Sequence, residues 1–112
     1  MKIIDWKILE DHKTPHGVKV NLLYDRPEAQ ALHITLAPGE SLKRHVTPVD
    51  VFFFVLEGTP TIEVGDEKTA VEAGLLVESP KNIVHCIYNN TGVQARILVV
   101  KAPRPVKKSK LL

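Results

Sequence analysis

The sequence predicts an all-β sandwich or barrel, and two observations carry this prediction. Short apolar or alternating segments recur at intervals of roughly eight to twelve residues, with Gly, Pro and Asn in the turns between them. Almost no segment has the 3.6-residue period of an amphipathic helix. Without helices long enough to connect parallel strands, a parallel α/β fold is disfavoured.

The first half of the chain contains three predicted strands. Residues 18–24 precede a turn at 26–28. In 32–36, apolar residues alternate with polar ones, which is the period of a strand with one buried face. Residues 51–57 are apolar on both faces, which is typical of a central strand. We expect Val51, Phe53 and Val55 to line the interior, and Phe52, Phe54 and Leu56 to lie on the opposite face.

The second half has shorter predicted strands. A Gly–Asp turn at 65–66 separates 61–64 from 67–71, as in a β-hairpin. The remaining strands are predicted over 75–77, 83–88 and 95–100, with turn residues at 72–74, 79–80 and 89–92.

Length and composition indicate one domain spanning residues 1–112, with its core over about 17–102. The chain has 112 residues, close to the roughly 100 that an independent core needs, and 44% of them are hydrophobic. The single cysteine, Cys86, excludes an internal disulfide and fits a reducing compartment. Acidic residues interrupt the region where a signal peptide would be apolar, and no apolar stretch approaches the ~20 residues of a membrane span. We therefore expect a cytoplasmic protein without a membrane partner.

Basic residues concentrate at the C-terminal end, although the net charge of the chain is only +2. From Lys101 onward the chain holds five basic residues and no acidic one. Such a cluster attracts phosphate groups, but no aromatic residues are interleaved for base stacking. Pro103 and Pro105 oppose regular structure. We therefore predict a flexible, solvated tail over 103–112 and no nucleic-acid partner.

Two glycine-punctuated motifs contain the candidate functional residues. In the first, five residues separate Gly39 from His45 and twelve separate His45 from Gly58. In the second, five residues separate Gly74 from Pro80; His85 follows, and Asn89 lies four positions beyond it. A barrel readily brings residues at this separation together, so we predict that the two imidazoles meet inside it.

These motifs resemble those of the cupin family, G-x5-H-x-H-x3-E-x6-G and G-x5-P-x-G-x2-H-x3-N. The spacing agrees throughout, and the motifs cover residues 39–89, about half of the chain. The resemblance implies a double-stranded β-helix, or jelly-roll barrel. It also implies a divalent metal inside the barrel, held in family members by three histidines and one glutamate.

Only two of these four ligand positions carry the family's residue, namely His45 and His85. Thr47 stands at the other histidine position and Val51 at the glutamate position. Metal sites usually take three or four protein ligands, and a neutral hydroxyl is a poor one. Asn82 replaces the second motif's glycine, and asparagine still adopts a left-handed turn.

Asp50 is the substitute carboxylate beside the vacant glutamate position. Strand alternation places its side chain opposite to Val51, unless a bulge or the preceding loop re-aims it. Its alternative role is to cap a turn or to pair with a nearby cation. The candidate metal residues are thus His45, His85, Asp50 and Thr47, and Zn, Fe, Mn, Ni and Cu are not distinguished.

The remaining histidines and the cysteine are not predicted to bind the metal. His33 lies on the strand face opposite the apolar residues of 32–36, so we expect it to point outward or into a dimer contact. Cys86 is interpreted as a small buried residue. His12 and His16 are assigned no role.

Two functional hypotheses from different classes remain open. In the first, the barrel is a metal-dependent enzyme acting on a small molecule, as the resemblance to cupin dioxygenases, isomerases and decarboxylases implies. In the second, it is a metal-free, non-catalytic pocket that binds a small molecule as a sensor or store. The loss of two of the four metal-ligand residues and the apolar face of 51–55 favour a pocket that holds less water than those of most cupin enzymes.

The apolar strand 51–57 also predicts assembly, because its outer face needs cover and the chain offers no helix. The candidates are the N-terminal segment and a second copy of the chain. We expect a two-fold homodimer that buries Phe52 or Phe54.

Overall fold

The fold consists of two antiparallel sheets facing each other. A computed structural model describes residues 1–12, 16–106 and 110–112. Over these residues the chain forms a short 3-10 helix, Trp6–Ile8, followed by ten strands. The strands are β1 Lys19–Arg26, β2 Ala29–Leu36, β3 Ser41–Val46, β4 Asp50–Glu57, β5 Thr61–Val64, β6 Glu67–Ala70, β7 Leu76–Ser79, β8 Val84–Tyr88, β9 Ala95–Ala102 and β10 Lys110–Leu111.

The first sheet has the strand order β1-β2-β9-β4-β7, and the second has the order β10-β3-β8-β5-β6. Apart from the hairpins β1–β2 and β5–β6, successive strands alternate between the sheets, so that β3 belongs to the second sheet and β4 to the first. This is the all-β double-stranded β-helix that the sequence predicts. No helix among the described residues is long and apolar enough to cross a membrane.

The core lies between the sheets and follows from strand alternation. In β4, Val51, Phe53 and Val55 are buried, whereas Phe52 and Phe54 are half-buried and Leu56 is exposed, as predicted. The inward residues of β2, β8 and β9 complete the same cluster. The core extends to the motif histidines, because the Phe53 ring contacts that of His85.

Two strands were not predicted from the sequence. The strand β3 contains only two clearly apolar residues, so its segment lacks a simple alternation. The strand β10 lies in the expected tail and pairs Lys110 and Leu111 with β3. Arg104 also pairs with Asp25, at 3.1 Å. The prediction of an end without regular structure therefore fails at these residues, while Lys107 and Lys108 lie outside the described residues.

The N-terminal segment covers part of the outer face of the first sheet. The Trp6 ring stacks on His33 with 4.2 Å between centroids, and the Arg96 guanidinium lies 5.1 Å from the indole. His33 faces away from the barrel interior, as expected, but it is buried beneath Trp6. The Nε2 atom of His33 lies 3.0 Å from Arg96 Nη1. The N-terminal segment thus covers part of the outward face of β2.

Several turns have left-handed backbone, among them those at Asn82, Gly58 and Gly39. Asn82 has φ of 64°, as predicted for the position where the family motif has glycine. Gly58 ends β4 with φ of +78°, and a Cβ atom there would lie 2.6 Å from the Gln94 carbonyl oxygen. Gly39 has φ of +85°, but a Cβ atom there would meet nothing within 4 Å.

This comparison predicts that Gly58→Ala destabilises the protein more than Gly39→Ala does. We expect a loss of about 2–4 kcal/mol for Gly58→Ala, because backbone strain adds to a clash with backbone atoms. Gly39→Ala carries the strain alone and should cost about 1–2 kcal/mol. Urea denaturation of both variants measures the difference, and equal losses would show that the clash is relieved by movement of the 94–95 segment.

Candidate functional site

The structure brings His45 and His85 together on neighbouring strands of the second sheet. The two residues are paired directly in the β3–β8 register, and their Nε2 atoms lie 3.0 Å apart. Both side chains are buried, with 6% and 2% of their surfaces exposed. The meeting of two imidazoles that the motif spacing predicts is therefore present in the barrel.

A β-bulge in β3 aims His45 inward. Leu42 and His45 are both buried on the interior face although they are three residues apart, an odd spacing that regular alternation would place on opposite faces. The register shift between these residues supplies the extra residue that reverses the alternation. The bulge also leaves the backbone groups of Lys43 to bond with side chains instead.

Hydrogen bonds fix the tautomers of the two histidines. The Lys43 carbonyl only accepts, so His45 Nδ1, at 2.7 Å, carries a proton and donates to it. His45 Nε2 is then an acceptor in the neutral ring, and His85 Nε2–H donates to it. His85 Nδ1 in turn accepts from the Ser79 hydroxyl at 2.6 Å. The result is a chain of donors running from Ser79 through His85 and His45 to the Lys43 carbonyl.

Thr47 and Phe53 complete the surroundings of His85. The Thr47 Oγ1 atom lies 3.1 Å from His85 Nε2 and is buried, so the predicted site residue does face the histidine pair. The Phe53 ring contacts the imidazole edge-to-face, with 5.2 Å between centroids. His85 is therefore held by polar contacts on both ring nitrogens and by an aromatic side chain.

His16, which the sequence analysis left without a role, also reaches this site. Its ring lies 4.7 Å from that of His45, and its Nδ1 accepts from the Lys43 N–H at 2.9 Å. A neutral His16 therefore carries its proton on Nε2. Its local sequence gave no signal, because residues 16 and 45 meet only through the tertiary fold.

Lys101 is a second residue that sequence analysis missed. In the β9 register it stands between Gln30 and Val51, and Val51 in turn pairs with Ser79. It follows Val99, which is buried in the core, on the same strand face. Although it is the first of the five C-terminal basic residues, its side chain is on the inward face and half-buried.

Burial and like charge keep the three site imidazoles neutral. Burial lowers the pKa of His85 to about 3, with further lowering from His45 and Lys101. Burial likewise lowers the pKa of His16 to about 4. The pKa of His45 is lowered by burial as well, although its bond to the Lys43 carbonyl opposes the shift. Burial also lowers the pKa of Lys101.

The structure does not bring Asp50 to the histidine pair. Asp50 is exposed at the start of β4, on the face opposite Val51, as alternation indicates. Its Oδ1 accepts from the Lys81 N–H at 2.9 Å. This is the turn-capping contact that the sequence analysis named as the alternative role.

The residues at this site do not fit a divalent cation. The imidazole pair is internally hydrogen-bonded, the His16 Nδ1 lone pair is occupied by the Lys43 N–H, and Thr47 offers a neutral hydroxyl. Lys101 adds a positive charge on the same interior face. Among the described residues, no group of three or more His, Cys, Asp and Glu side chains is placed to hold a metal ion.

The fold and this site define a small barrel protein whose polar groups converge in its interior. The sequence profile of the cupin domain matches residues 32–101, and the chain belongs to the cupin family. The solved structures to which it is similar include TT1209 from Thermus thermophilus, with 29% identity and a TM-score of 0.81, covering 94% of this chain and 100% of the other.

Two relatives carry names that relate to polyketides. The chain is 34% identical over 77 residues to the tetracenomycin polyketide synthase protein TcmJ of Streptomyces glaucescens, a match covering 65% of this chain and 52% of that protein. It thus spans about half the length of this relative. The polyketide cyclase RemF of Streptomyces resistomycificus shares the fold, with a TM-score of 0.85 at 17% identity, over 100% of this chain and 85% of RemF.

The lowered pKa of His85 predicts a loss of stability in acid. His85 takes up a proton at about pH 6.5 in the unfolded chain but only at about pH 3 in the folded protein. Its contribution to stability is therefore complete above the first value and falls as pH drops below it. His85 alone should account for about 2 kcal/mol of the loss between about pH 7.5 and about pH 5.

Urea denaturation at the two pH values measures this effect. His85→Gln should reduce the loss, whereas His12→Gln, which changes an exposed histidine, should leave it unchanged. An identical pH dependence in His85→Gln and the unmodified protein would show that His85 is not held neutral in the fold.

Proposed function

We propose that this chain binds a small organic molecule inside its barrel without a resident metal ion, and that neutral imidazoles and hydroxyls orient the ligand. The observation that carries this proposal is the hydrogen-bond chain from Ser79 through His85 and His45 to the Lys43 carbonyl. Each imidazole nitrogen in that chain already has a protein partner, so no cation is needed to satisfy the buried polar groups.

The protonation state favours binding over proton abstraction. A general base works best when its pKa lies near the working pH. The pKa of His85 is about 3, so the ring is a weak base, but its orientation is fixed by hydrogen bonds. A ligand oxygen that enters between the rings replaces His45 Nε2 as the acceptor of the His85 Nε2–H, so the neutral imidazole orients and polarises it, as in sites where a histidine acts as an electrophile.

The comparisons support a ligand that carries carbonyl or hydroxyl oxygens. The polyketide synthase protein at 34% identity and the polyketide cyclase with the same fold are both named for oxygen-rich organic compounds. An apolar lining from Val51 and Phe53 beside the polar groups suits such a ligand.

Nitrogen-15 NMR of protein purified without added metal tests the metal-free site. We expect His85 in the Nε2–H form and His45 in the Nδ1–H form, unchanged by a chelator or by equimolar Zn²⁺. The double variant Thr47→His/Val51→Glu, which restores both family ligands on the interior face, should take up Zn²⁺. Stoichiometric Zn²⁺ in the unmodified protein, with His85 converted to its Nδ1–H form, would overturn the proposal.

A protein-observed NMR screen of neutral phenols and diketones tests the binding function itself. Compounds that bind should perturb the His85 ring signals. His85→Gln should lower their affinity by about tenfold or more, which corresponds to the free energy of one or two hydrogen bonds. The matched variant His12→Gln should bind normally. Binding that is unaffected by His85→Gln would place the ligand elsewhere.

We also propose that the chain forms a homodimer through the outer face of the first sheet. Phe52 and Phe54 remain half-buried there, and neighbouring Leu76 is 49% exposed. The N-terminal segment covers His33 on the same face. The apolar side chains that remain partly exposed beside it are therefore available to a second subunit. A second copy buries this apolar row by two-fold symmetry.

Light scattering should therefore give twice the mass of one chain. Phe54→Asp should yield monomer or aggregate, because it places a charge in the proposed contact. Val93→Asp, at an exposed residue outside the strands, should remain dimeric. A monomeric unmodified protein would contradict the dimer proposal and would show that the N-terminal segment alone covers this face of the first sheet.

A further inference from the structure

Lys101 places a positive charge at the interior end of the barrel. It continues the inward face of β9 after Ile97 and Val99, both of which are buried in the core. Across the first sheet it shares an inward row with Gln30, Val51 and Ser79. Because Ser79 bonds to His85, this row faces the histidine pair of the opposite sheet.

The ammonium has no carboxylate partner in the part of the chain that the structure describes. The nearby Asp25 carboxylate binds Arg104 at 3.1 Å and Gln30 at 3.4 Å. Asp50, one strand away, faces outward and caps the turn at Lys81. A partly desolvated charge without a counter-ion is costly, and a lysine in this position is stabilised by any anion that reaches it.

The surrounding groups are compatible with an anion and repel a cation. The charge of Lys101 acts on His16, His45 and His85, and it lowers the pKa of each. These side chains are therefore close enough to share an electrostatic environment with the ammonium. Within the described ranges, no acidic side chain is among the charged groups that shift the pKa of these three imidazoles.

We propose that the barrel site is selective for organic carboxylates, with the ligand's carboxylate paired to the Lys101 ammonium. This inference rests on the proposed function and names its ligand class. Lys101 occupies the strand position beside Val51, where the family motif has a glutamate, so a fixed positive group stands next to the position that lacks its carboxylate. The carboxylate of the ligand supplies the missing negative charge, and the apolar residues hold its remainder.

Affinity for matched acids and amides tests the inference. The probes are acetate against acetamide and benzoate against benzamide, titrated by NMR while the His85 ring signals are followed. We expect the acids to bind at least about tenfold more tightly than the amides, as for a charge-assisted hydrogen bond. Lys101→Met should abolish this preference, whereas Lys81→Met, at an exposed lysine, should retain it.

Folding of the variants is a separate measurement. Lys101→Met should melt at the same temperature as the unmodified protein or higher, because an apolar chain replaces a desolvated charge. Lys101→Gln provides a second uncharged variant, and it too should lose the preference for acids.

The outcomes separate this inference from the proposed function. If acids and amides bind equally, or if the preference survives in both Lys101 variants, the carboxylate assignment is overturned while the binding site stands. If neither acids nor amides perturb His85 but the neutral phenols or diketones do, the carboxylate assignment is likewise overturned. If no compound of either set reaches His85, both fail.

Discussion

The hydrogen bond between Ser79 and His85 is the constraint on which the interior depends. Its 2.6 Å contact joins β7 of the first sheet to β8 of the second, so it ties the sheets together at the end where the core gives way to polar side chains. A desolvated imidazole is stable in such a place only if it is neutral and bonded at both nitrogens. Ser79 satisfies one nitrogen, and His45 satisfies the other.

The same bond determines which atoms are presented to a ligand. Because the Lys43 carbonyl forces His45 to donate from Nδ1, the proton between the rings belongs to His85, and Ser79 must donate to His85. A cation at the pair would need both Nε2 lone pairs, and hence the reverse arrangement at His85 and Ser79. The bulge in β3 and the Lys43 carbonyl leave the His45 Nε2 lone pair in place in both arrangements, so the two forms of the site differ only at His85 and Ser79.

The sequence predicts the parts of this arrangement that are local or periodic. Motif spacing places His45 and His85 together, and a period of two assigns Val51 and Phe53 to the interior. It does not predict His16, whose contact with residue 45 is made by the fold alone. It gives no role to Lys101, because the residue only begins a run of basic residues in the sequence, and the length of β9 shows that it lies inside a strand.

The exchange at positions 51 and 101 has a simple electrostatic meaning. A metal-binding cupin, as the resemblance describes it, holds an interior cation beside a glutamate. Here Val51 removes the negative side chain and Lys101, its direct neighbour in the register, provides a covalently attached positive one. Either arrangement stabilises a ligand oxygen bearing negative charge, but an ammonium lacks the open coordination positions that a metal offers for activating water or dioxygen. The residues that remain are therefore suited to recognising an anion, which agrees with histidines too weakly basic to abstract a proton at neutral pH.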